Sequence, residues 1–478
     1  MTHSPVVEWT DMFCGMGGSA TGVEMVGGMH VQTAMNHWDF AIDLHQNNHP
    51  TTDHITADIK ETDPRLVKHS TALWASPECT NHSVAKSKKR ITNQQALFGE
   101  QLPDEAAARS RATMWDVVRY AEFHKYQIII TENVVDAAKW ILFDSWLGAM
   151  DAIGYMHKVM YVNSMHAQAL GDPAPQSRDR IYVLFWRKGN KAPDTDKYFR
   201  PRAYCPSCDE VVNAMQVFKK PGQPWGRYRA QYNWRCPKSS CKNRIVEPGW
   251  LAAETAIDWS IPGQRIGDRG KPLAEKTMAR IEAGIQKFWD APFSIDSVRG
   301  SQILTPVRTE PFPTQTTAYT RGLLIPVEGR DGKQAAPTTD PMRTQTTRNE
   351  TGLLMEYYGN GVMHETVKPI PTITTHDRFA MITLRGHNAP KPVTEALDTI
   401  VAAGTHHGLM GMRDRPRVED CTFRMLEPRE LANGFAFPAD YWMEGNKRSL
   451  VKAIGNSVTP PNARDAVACM AETLGVES

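Results

Sequence analysis

The sequence contains no long hydrophobic run: none approaches the roughly 18 residues that a membrane-spanning helix needs. The opening Met1-Thr2-His3-Ser4-Pro5 lacks the basic region and apolar run of a secretory signal. Cysteine is scarce, and 8 residues in a chain of 478 are too few for a disulfide scaffold. We therefore expect a cytoplasmic protein with no membrane partner. In that reducing compartment, clustered cysteines favour metal binding over disulfides.

A strong charge of either sign is also missing, since the formal net charge is +2. The whole-chain charge neither demands nor excludes a polyanionic partner, so nucleic-acid binding would need locally clustered basic residues. The length is sufficient for about two or three domains and a large core.

The first 190 residues alternate between apolar strand patterns and helical patterns. Such alternation predicts a mostly parallel sheet covered by helices on both faces, with ligands bound at the carboxyl ends of the strands. The predicted strands are 6–13, 31–35, 72–74, 126–131, 158–163 and 180–186, and the predicted helices are 19–25, 40–46 and 104–124.

A glycine-rich turn, Asp11-Met12-Phe13-Cys14-Gly15-Met16-Gly17-Gly18, follows the first predicted strand. Glycines let the backbone approach a ligand closely, and the following helix offers free N–H groups. The spacing does not fit the G-x-G-x-x-G of dinucleotide folds, because Ala20 stands where the last glycine should be. Taken alone, the turn fits a cofactor site and a packing turn equally well.

A cysteine, Cys79, follows the strand predicted over residues 72–74, in the stretch Ser76-Pro77-Glu78-Cys79-Thr80-Asn81-His82-Ser83. A strand end followed by a polar loop is where an α/β enzyme would hold a nucleophile. The alternative for a lone cysteine is a buried structural thiol.

Six motifs in sequence order resemble those of the cytosine-C5 DNA methyltransferases, over residues 6–186 and 420–473. The glycine-rich turn resembles the family's D-x-F-x-G-x-G-G, and Pro77-Glu78-Cys79 resembles its P-P-C. The other four are Glu132-Asn133-Val134, Gln176-Ser177-Arg178-Asp179-Arg180, Arg424-Met425-Leu426-Glu427-Pro428-Arg429-Glu430 and Gly455-Asn456-Ser457-Val458-Thr459-Pro460-Pro461. Glu78 replaces the family's usual proline, and Thr80-Asn81 stands where a glutamine is common.

The resemblance implies an α/β fold: a Rossmann-like mixed sheet with helices on both faces, as in S-adenosylmethionine-dependent methyltransferases, plus a mostly β target-recognition domain. It also implies a set of residues for S-adenosyl-L-methionine, with Asp39 serving where His37 replaces the family's glutamate. The residues so implied are Asp11, Phe13, Gly15, Gly17, Gly18, Asp39, Asp58, Asn456 and Ser457.

The reaction that the resemblance implies needs a thiolate and a proton donor. Thiolate attack at C6 of cytosine breaks the ring conjugation and makes C5 nucleophilic, and Cys79 is the candidate. Glu132 would neutralise the ring as a carboxylic acid at N3, and Arg180, supported by Arg178, would hold the base at O2. The structural alternative is a buried carboxylate paired with an arginine.

A stacked base cannot present C6 to a thiolate, so the target must flip out of the duplex. The basic segment Ser83-Val84-Ala85-Lys86-Ser87-Lys88-Lys89-Arg90 fits a loop that contacts phosphate after the nucleophile. Arg109 and Arg111 could add contacts. A solvated charge run is the alternative for all of them.

Two cysteine pairs, Cys205/Cys208 and Cys236/Cys241, predict a four-thiolate zinc ribbon within residues 200–250, although the second pair has four intervening residues instead of two. Free thiols are the alternative. Basic and aromatic residues lie between the pairs, which suits either nucleic-acid contact or a small β-ribbon core. They are Lys219, Lys220, Trp225, Arg227, Tyr228, Arg229, Tyr232, Trp234 and Arg235.

A repeat follows: Pro313-Thr314-Gln315-Thr316-Thr317 recurs at 342–347 and 371–375, and Gly322-Leu323-Leu324 recurs at 352–354. The period of roughly 27–30 residues predicts stacked β units over residues 300–412. Their loops could carry base-reading side chains, or the repeats could be scaffold alone. The candidates for base reading are Arg343, Arg348, His376 and Arg378.

These observations predict three segments: a catalytic domain over 1–190, a target-recognition domain over 191–418, and a segment over 419–478 that completes the catalytic domain. The predicted function is methyl transfer to cytosine C5 in double-stranded DNA by a monomer in a bacterial or phage-infected cell, as in restriction-modification. The alternatives are a tRNA cytosine-C5 methyltransferase and a catalytically silent zinc-ribbon DNA-binding protein. A nicotinamide dehydrogenase fits least, because the glycine spacing is wrong and Cys79 would have no role.

Overall fold

The computed structural model describes residues 7–77, 103–222, 224–288, 293–296, 304–306, 310–313, 321–325, 382–383, 407–408 and 418–476. The strands in these ranges are β1 (Val7–Met12), β2 (Met29–Asn36), β3 (Asp53–Thr56), β4 (Ala72–Ala75), β5 (Ile128–Val134), β6 (Tyr155–Asn163), β7 (Gln176–Ser177), β8 (Asp179–Arg187), β9 (Arg202–Cys205), β10 (Glu210–Asn213), β11 (Met215–Phe218), β12 (Tyr232–Arg235), β13 (Gln264–Arg265), β14 (Phe293–Asp296), β15 (Leu304–Pro306), β16 (Phe312–Pro313), β17 (Arg321–Ile325), β18 (Ile382–Thr383), β19 (His407–Gly408) and β20 (Thr422–Met425). The α-helices are α1 (Gly18–Glu24), α2 (Asp39–Asn48), α3 (Pro103–His124), α4 (Phe143–Ala152), α5 (Thr195–Phe199), α6 (Glu275–Phe288), α7 (Pro428–Gly434), α8 (Lys447–Asn456) and α9 (Pro460–Ala471).

A seven-stranded mixed sheet forms the centre of the first compact unit, in the order β3-β2-β1-β4-β5-β8-β6. Strands β1 to β5 pair in parallel, whereas β8 runs antiparallel between β5 and β6. Each strand predicted in the first 190 residues is present, with ends that differ by a few residues. The predicted α/β fold with a mixed sheet is therefore confirmed.

Helices cover both faces of this sheet, because successive strand residues point to opposite sides. On one face, Leu73 and Ile129 pack with α3 and α4 through Met114, Trp146 and other buried residues. On the other face, Trp74 packs with the buried side chains of α1 and α9. None of the helices in the described part of the chain is long and apolar enough to cross a membrane.

The last segment of the chain returns to the first unit and completes it. Helix α9 packs on α1 so closely that a Cβ atom on Gly22 would overlap Ala463 and the carbonyl of Pro460. The Arg464 guanidinium also donates to the carbonyl of Ala167 (3.1 Å) and forms a buried ion pair with Asp465 (2.8 Å). The first unit comprises residues 1–259, 310–321 and 425–478, so it is discontinuous in sequence.

The cysteine-containing segment belongs to the first unit. The sequence pattern instead predicts that the first part of the catalytic domain ends at residue 190. Two hairpins, β9–β10 and β11–β12, form this segment, which we call the ribbon (residues 202–246). Its buried side chains, including Tyr232 and Trp234, join the same core as Leu73 and Ile129. This shared core is the physical reason that the unit extends to Trp259.

The second unit comprises residues 260–309 and 322–424. Its described strands form a sheet in the order β13-β20-β17-β14-β15, and helix α6 contacts β14. Arg265 in this unit forms an ion pair with Asp420 (2.7 Å). Of the repeated segments, 321–325 is a strand, and the copies at 342–354 and 371–375 lie outside the described residues, as do Arg343, Arg348, His376 and Arg378.

Candidate active site

Three neighbouring strands bring the predicted motifs together at one edge of the seven-stranded sheet. Because β1, β4 and β5 lie side by side in parallel, their carboxyl ends share the edge where ligands bind in open α/β sheets. The amide of Ser76, just after β4, donates to the carbonyl of Met12 at the end of β1 (3.1 Å). On the other side, the Asn133 side chain of β5 donates to the carbonyl of Pro77 (3.3 Å). The segment that leads toward Cys79 is therefore anchored between the glycine-rich turn and the E-N-V motif.

Glu132 and Arg180 form a nearly buried ion pair at this edge, with 2.9 Å between Oε1 and Nε. In the antiparallel pairing of β5 with β8, Glu132 lies opposite Tyr182 and Val134 lies opposite Arg180. Glu132 and Arg180 are thus diagonal neighbours on one face, which is within reach for long side chains. The structure brings together these two predicted catalytic residues.

Arg178, which was predicted to support Arg180, is the single residue between β7 and β8. Its side chain extends toward residues 455–457. Its buried guanidinium donates to the carbonyls of Gly455 (3.3 Å) and Ser457 (3.0 Å) and lies 4.9 Å from the centre of the Phe435 ring. These contacts hold residues 455–457 against the start of β8.

Cys79 lies outside the described residues, as does the basic segment 83–90. The described chain ends two residues before the cysteine, at Pro77. The side chains of Arg109 and Arg111 are likewise outside the described part of the chain.

The glycines of the turn differ in how closely other residues pack against them. Gly15 and Gly17 both have positive φ angles, of 56° and 98°, which favour glycine. A Cβ atom on Gly15 would meet no described atom within 4 Å. A Cβ atom on Gly17 would crowd Tyr441 and His49, and one on Gly18 would overlap the carbonyl of Val458. Gly17 and Gly18 are therefore packing positions, whereas Gly15 is not crowded by any described residue.

Asp11 is a buried carboxylic acid at the end of β1. Its Oδ2 atom accepts a hydrogen bond from Ser19 (2.6 Å), while its Oδ1 atom has no hydrogen-bond partner among the described residues. Burial raises the pKa of Asp11 to about 7, and the Ser19 hydrogen bond opposes part of that shift. A buried oxygen without a protein partner fits a polar group of a bound ligand.

The remaining predicted cofactor residues lie on several elements. Asp39 is exposed at the first position of α2, and Asp58 lines an open cavity of about 660 Å³ beyond β3, together with Ile55 and Leu66. Phe13 follows β1 with a positive φ of 62°. Asn456 is exposed at the end of α8. Ser457 is buried, and its hydroxyl donates to the carbonyl of Ala453 (2.9 Å), so this side chain is engaged by its own helix.

The four predicted zinc ligands of the ribbon converge. The sulfur atoms of Cys205, Cys208, Cys236 and Cys241 all lie within 4.8 Å of one another. The Cys205–Cys241 and Cys208–Cys236 sulfur pairs are each 3.9 Å apart. Thiolates bound at about 2.3 Å in a tetrahedron are about 3.8 Å apart, so this spacing suits zinc.

The aromatic residues between the cysteine pairs are mainly core residues. Tyr228, Tyr232 and Trp234 are buried, and the Trp234 indole N–H donates to His166 (3.1 Å). These three rings are therefore unavailable for stacking on bases. Of the two alternatives for this pattern, a small β-ribbon core fits them.

Two residues with evident roles were not singled out from the sequence. Asn133 bonds to Pro77, and its place inside the E-N-V motif was the available signal. Tyr441 donates its hydroxyl to the carbonyl of Met16 in the glycine-rich turn. No local motif marks Tyr441, because the contact joins segments far apart in sequence.

The sheet order, the antiparallel β8 and the glycine-rich turn define an α/β methyltransferase fold. Residues 7–220 match the family model described as C-5 cytosine-specific DNA methylase. For residues 7–220, the family predicted from the motifs is therefore confirmed. No curated protein matches the chain.

Several solved structures are similar over nearly the whole chain. Spodoptera frugiperda DNMT2, solved as a mutant, is 12% identical, with a TM-score of 0.49 and coverage of 97% of this chain and 99% of that one. S. pombe Dnmt2 methyltransferase is also 12% identical, with a TM-score of 0.49 and coverage of 98% and 100%. The Entamoeba histolytica methyltransferase EhMeth is 10% identical, with a TM-score of 0.48 and coverage of 98% and 99%.

Proposed function

We propose that the protein transfers a methyl group from S-adenosyl-L-methionine to C5 of a cytosine in duplex DNA, through a covalent bond between Cys79 and C6. The observation that carries this proposal is the arrangement at the sheet edge, where the Glu132–Arg180 pair lies beside the strand end that leads to Pro77. Cys79, the proposed nucleophile, follows Pro77 by two positions in the sequence.

In the proposed reaction the Cys79 thiolate adds to C6, and the electron pair of the C5–C6 double bond moves toward C5. Glu132, in its protonated form, would donate to N3 and neutralise the charge that develops on the ring. Arg180 would hold the base at O2 while it continues to orient Glu132. After methylation, loss of the C5 proton and departure of the thiolate restore the aromatic ring. The base must leave the stack to reach these groups.

Two observations on the described part of the chain support a cofactor here: the Oδ1 atom of Asp11 has no hydrogen-bond partner there, and no atom there lies within 4 Å of a Cβ position on Gly15. When bound, S-adenosyl-L-methionine supplies an electrophilic methyl group. We propose that Asp11, Phe13, Gly15, Asp39, Asp58 and Asn456 hold it. Gly17, Gly18 and Ser457 support these residues by packing, since their surroundings are filled by protein atoms.

The ribbon cysteines Cys205, Cys208, Cys236 and Cys241 would hold a structural zinc ion. The burial of two thiols and half-burial of the other two fit a closed four-thiolate site rather than a catalytic one with an open position. Duplex DNA is the proposed substrate because the long segment 191–418 exceeds what a catalytic domain needs, and it includes most of the second unit.

Transfer of labelled methyl groups to duplex DNA and to tRNA, measured side by side, tests this proposal. We expect label in duplex DNA, at C5 of cytosine on bisulfite sequencing. Label in tRNA alone would show that the substrate is RNA and would contradict the proposed DNA substrate. Tight binding of duplex DNA with no methyl transfer to either substrate would indicate a DNA-binding protein without methyltransferase activity.

A further inference from the structure

We infer that the ribbon acts as a positioning element for the Glu132–Arg180 pair, so that zinc binding at its four cysteines controls the rate of methyl transfer. This inference rests on the proposed function. Its evidence is a set of contacts between residues 225–228 of the ribbon and the two strands that carry Glu132 and Arg180.

The first set of contacts reaches the residues directly after β5. The Trp225 indole N–H donates to the carbonyl of Val135 (3.0 Å), and Arg227 forms an ion pair with Asp136 (2.5 Å). The Lys139 ammonium lies 3.7 Å from the centre of the Trp225 ring and 3.2 Å from Asp136. Strand β5 ends at Val134, two residues after Glu132, so these contacts fix the strand end that carries the carboxylate.

The second contact reaches the start of β8. The backbone N–H of Tyr228 donates to Oδ1 of Asp179 (3.0 Å), a half-buried residue. The carbonyl of Asp179 in turn accepts a hydrogen bond from the Arg180 guanidinium (2.8 Å). Arg227 and Tyr228 therefore connect the two strands from outside the sheet, one beside Glu132 and the other beside Arg180.

Residues 225–228 lie in the connection between β11 and β12, the two strands of the second hairpin. The strands β9, β10, β11 and β12 of the ribbon have four residues each and form two separate two-stranded sheets. These hairpins pack on the core of the first unit, and a metal commonly adds stability to short segments of this kind. Cys205 ends the first strand of the first hairpin, Cys208 lies in its turn, and Cys236 follows the last strand of the second hairpin. One zinc ion on these thiolates would therefore join the two hairpins.

The test uses the full-length chain and separates metal loading from strand positioning. Arg227→Gln removes the ion pair with Asp136 and leaves the thiols intact, while Cys208→Ser removes one metal ligand. Arg202→Gln is the matched control, because it removes the charge of an exposed arginine in the same ribbon. Zinc content, kcat, KM for S-adenosyl-L-methionine and duplex affinity are measured for each.

We expect one zinc per chain in the wild type and in Arg227→Gln, and less in Cys208→Ser. Both Arg227→Gln and Cys208→Ser should lower kcat about tenfold or more, while KM for the cofactor and duplex affinity stay within about twofold. Arg227→Lys should restore part of the rate. If Arg227→Gln does not fold, Trp225→Phe, which loses the indole donor but keeps an aromatic ring, should lower kcat in the same way.

Three results would overturn the inference: wild-type protein without zinc, Arg227→Gln with an unchanged kcat, or a variant whose loss lies entirely in duplex affinity. The last result would make the ribbon a DNA-contacting element. Failure of the proposed function is distinguishable, because the wild type itself would then transfer no methyl group to DNA or tRNA.

Discussion

The Oε1 atom of Glu132 accepts a hydrogen bond from Nε of Arg180 across adjacent antiparallel strands, at a distance of 2.9 Å. This ion pair fixes the position of the Glu132 carboxyl group at the end of β5. The resting pair keeps the acid oriented before the substrate enters.

The first prediction concerns the replacement of Glu132 by a side chain of the same size that is not an acid. Glu132→Gln keeps the size of the side chain but cannot transfer a proton, so kcat should fall about 100-fold or more. Cofactor and duplex affinity should stay near wild type. Steady-state methyl transfer with binding titrations measures both. A variant with normal kcat would remove Glu132 from the reaction.

The second prediction concerns the bond between Asn133 and the segment that leads to Cys79. Asn133→Ala deletes the donor to the Pro77 carbonyl, which is worth about 1 kcal/mol, so kcat should fall about fivefold to tenfold. Met114→Leu is the control, since it removes only the sulfur that also accepts from Asn133. Equal rates for the two variants would contradict a specific role of the Pro77 bond.

The third prediction separates packing glycines from open ones. Gly18→Ala should lower the free energy of unfolding by about 1–3 kcal/mol, because the methyl group would overlap the Val458 carbonyl. Gly27→Ala is the control, since no described atom lies within 4 Å of its Cβ position. Denaturant titration compares them, and similar stability of the two variants would show that α1 has room to move.

The fourth prediction follows from burial of Asp11. Because its pKa is raised from 3.8 to about 7, the folded chain holds this proton more tightly than the unfolded chain does. The contribution of Asp11 to stability therefore falls as the pH rises from about 4 to about 7, and the loss is complete above that range. Asp11→Asn stays neutral and keeps an acceptor for Ser19. Its Tm relative to wild type, measured without cofactor, should rise as the pH increases from about 4 to about 7 and change little above that. A constant difference would contradict the buried, ionisable state.

The sequence predicts the strands with continuous apolar runs, such as β4 and β5, because both of their faces are buried. Strand β3 was not predicted, since it is a partly exposed edge strand with polar residues. The motifs located Glu132 and Arg180, because strand ends and local order carry that information. The role of Gly18 could not be predicted in the same way, since it depends on contact with Val458 far along the chain.

The ribbon illustrates a second limit of sequence patterns. Alternating aromatic and basic residues predict a base-stacking surface and a small hydrophobic core equally well. Tyr232 and Trp234 are buried, so in this protein the pattern forms a hydrophobic core. The cysteine spacing, in contrast, was sufficient by itself to predict that the four thiols converge. The boundary of the first unit depends on the same burial and could not be predicted from composition.

The most direct test of the account is covalent trapping on duplex DNA that carries 5-fluorocytosine. Fluorine at C5 blocks the final proton loss, so the bond between the enzyme and C6 should persist under denaturing conditions. We predict an adduct that requires S-adenosyl-L-methionine, maps to Cys79 by peptide mass spectrometry and is absent in Cys79→Ala. Methyl transfer without any such adduct, or an adduct that persists in Cys79→Ala, would contradict the account.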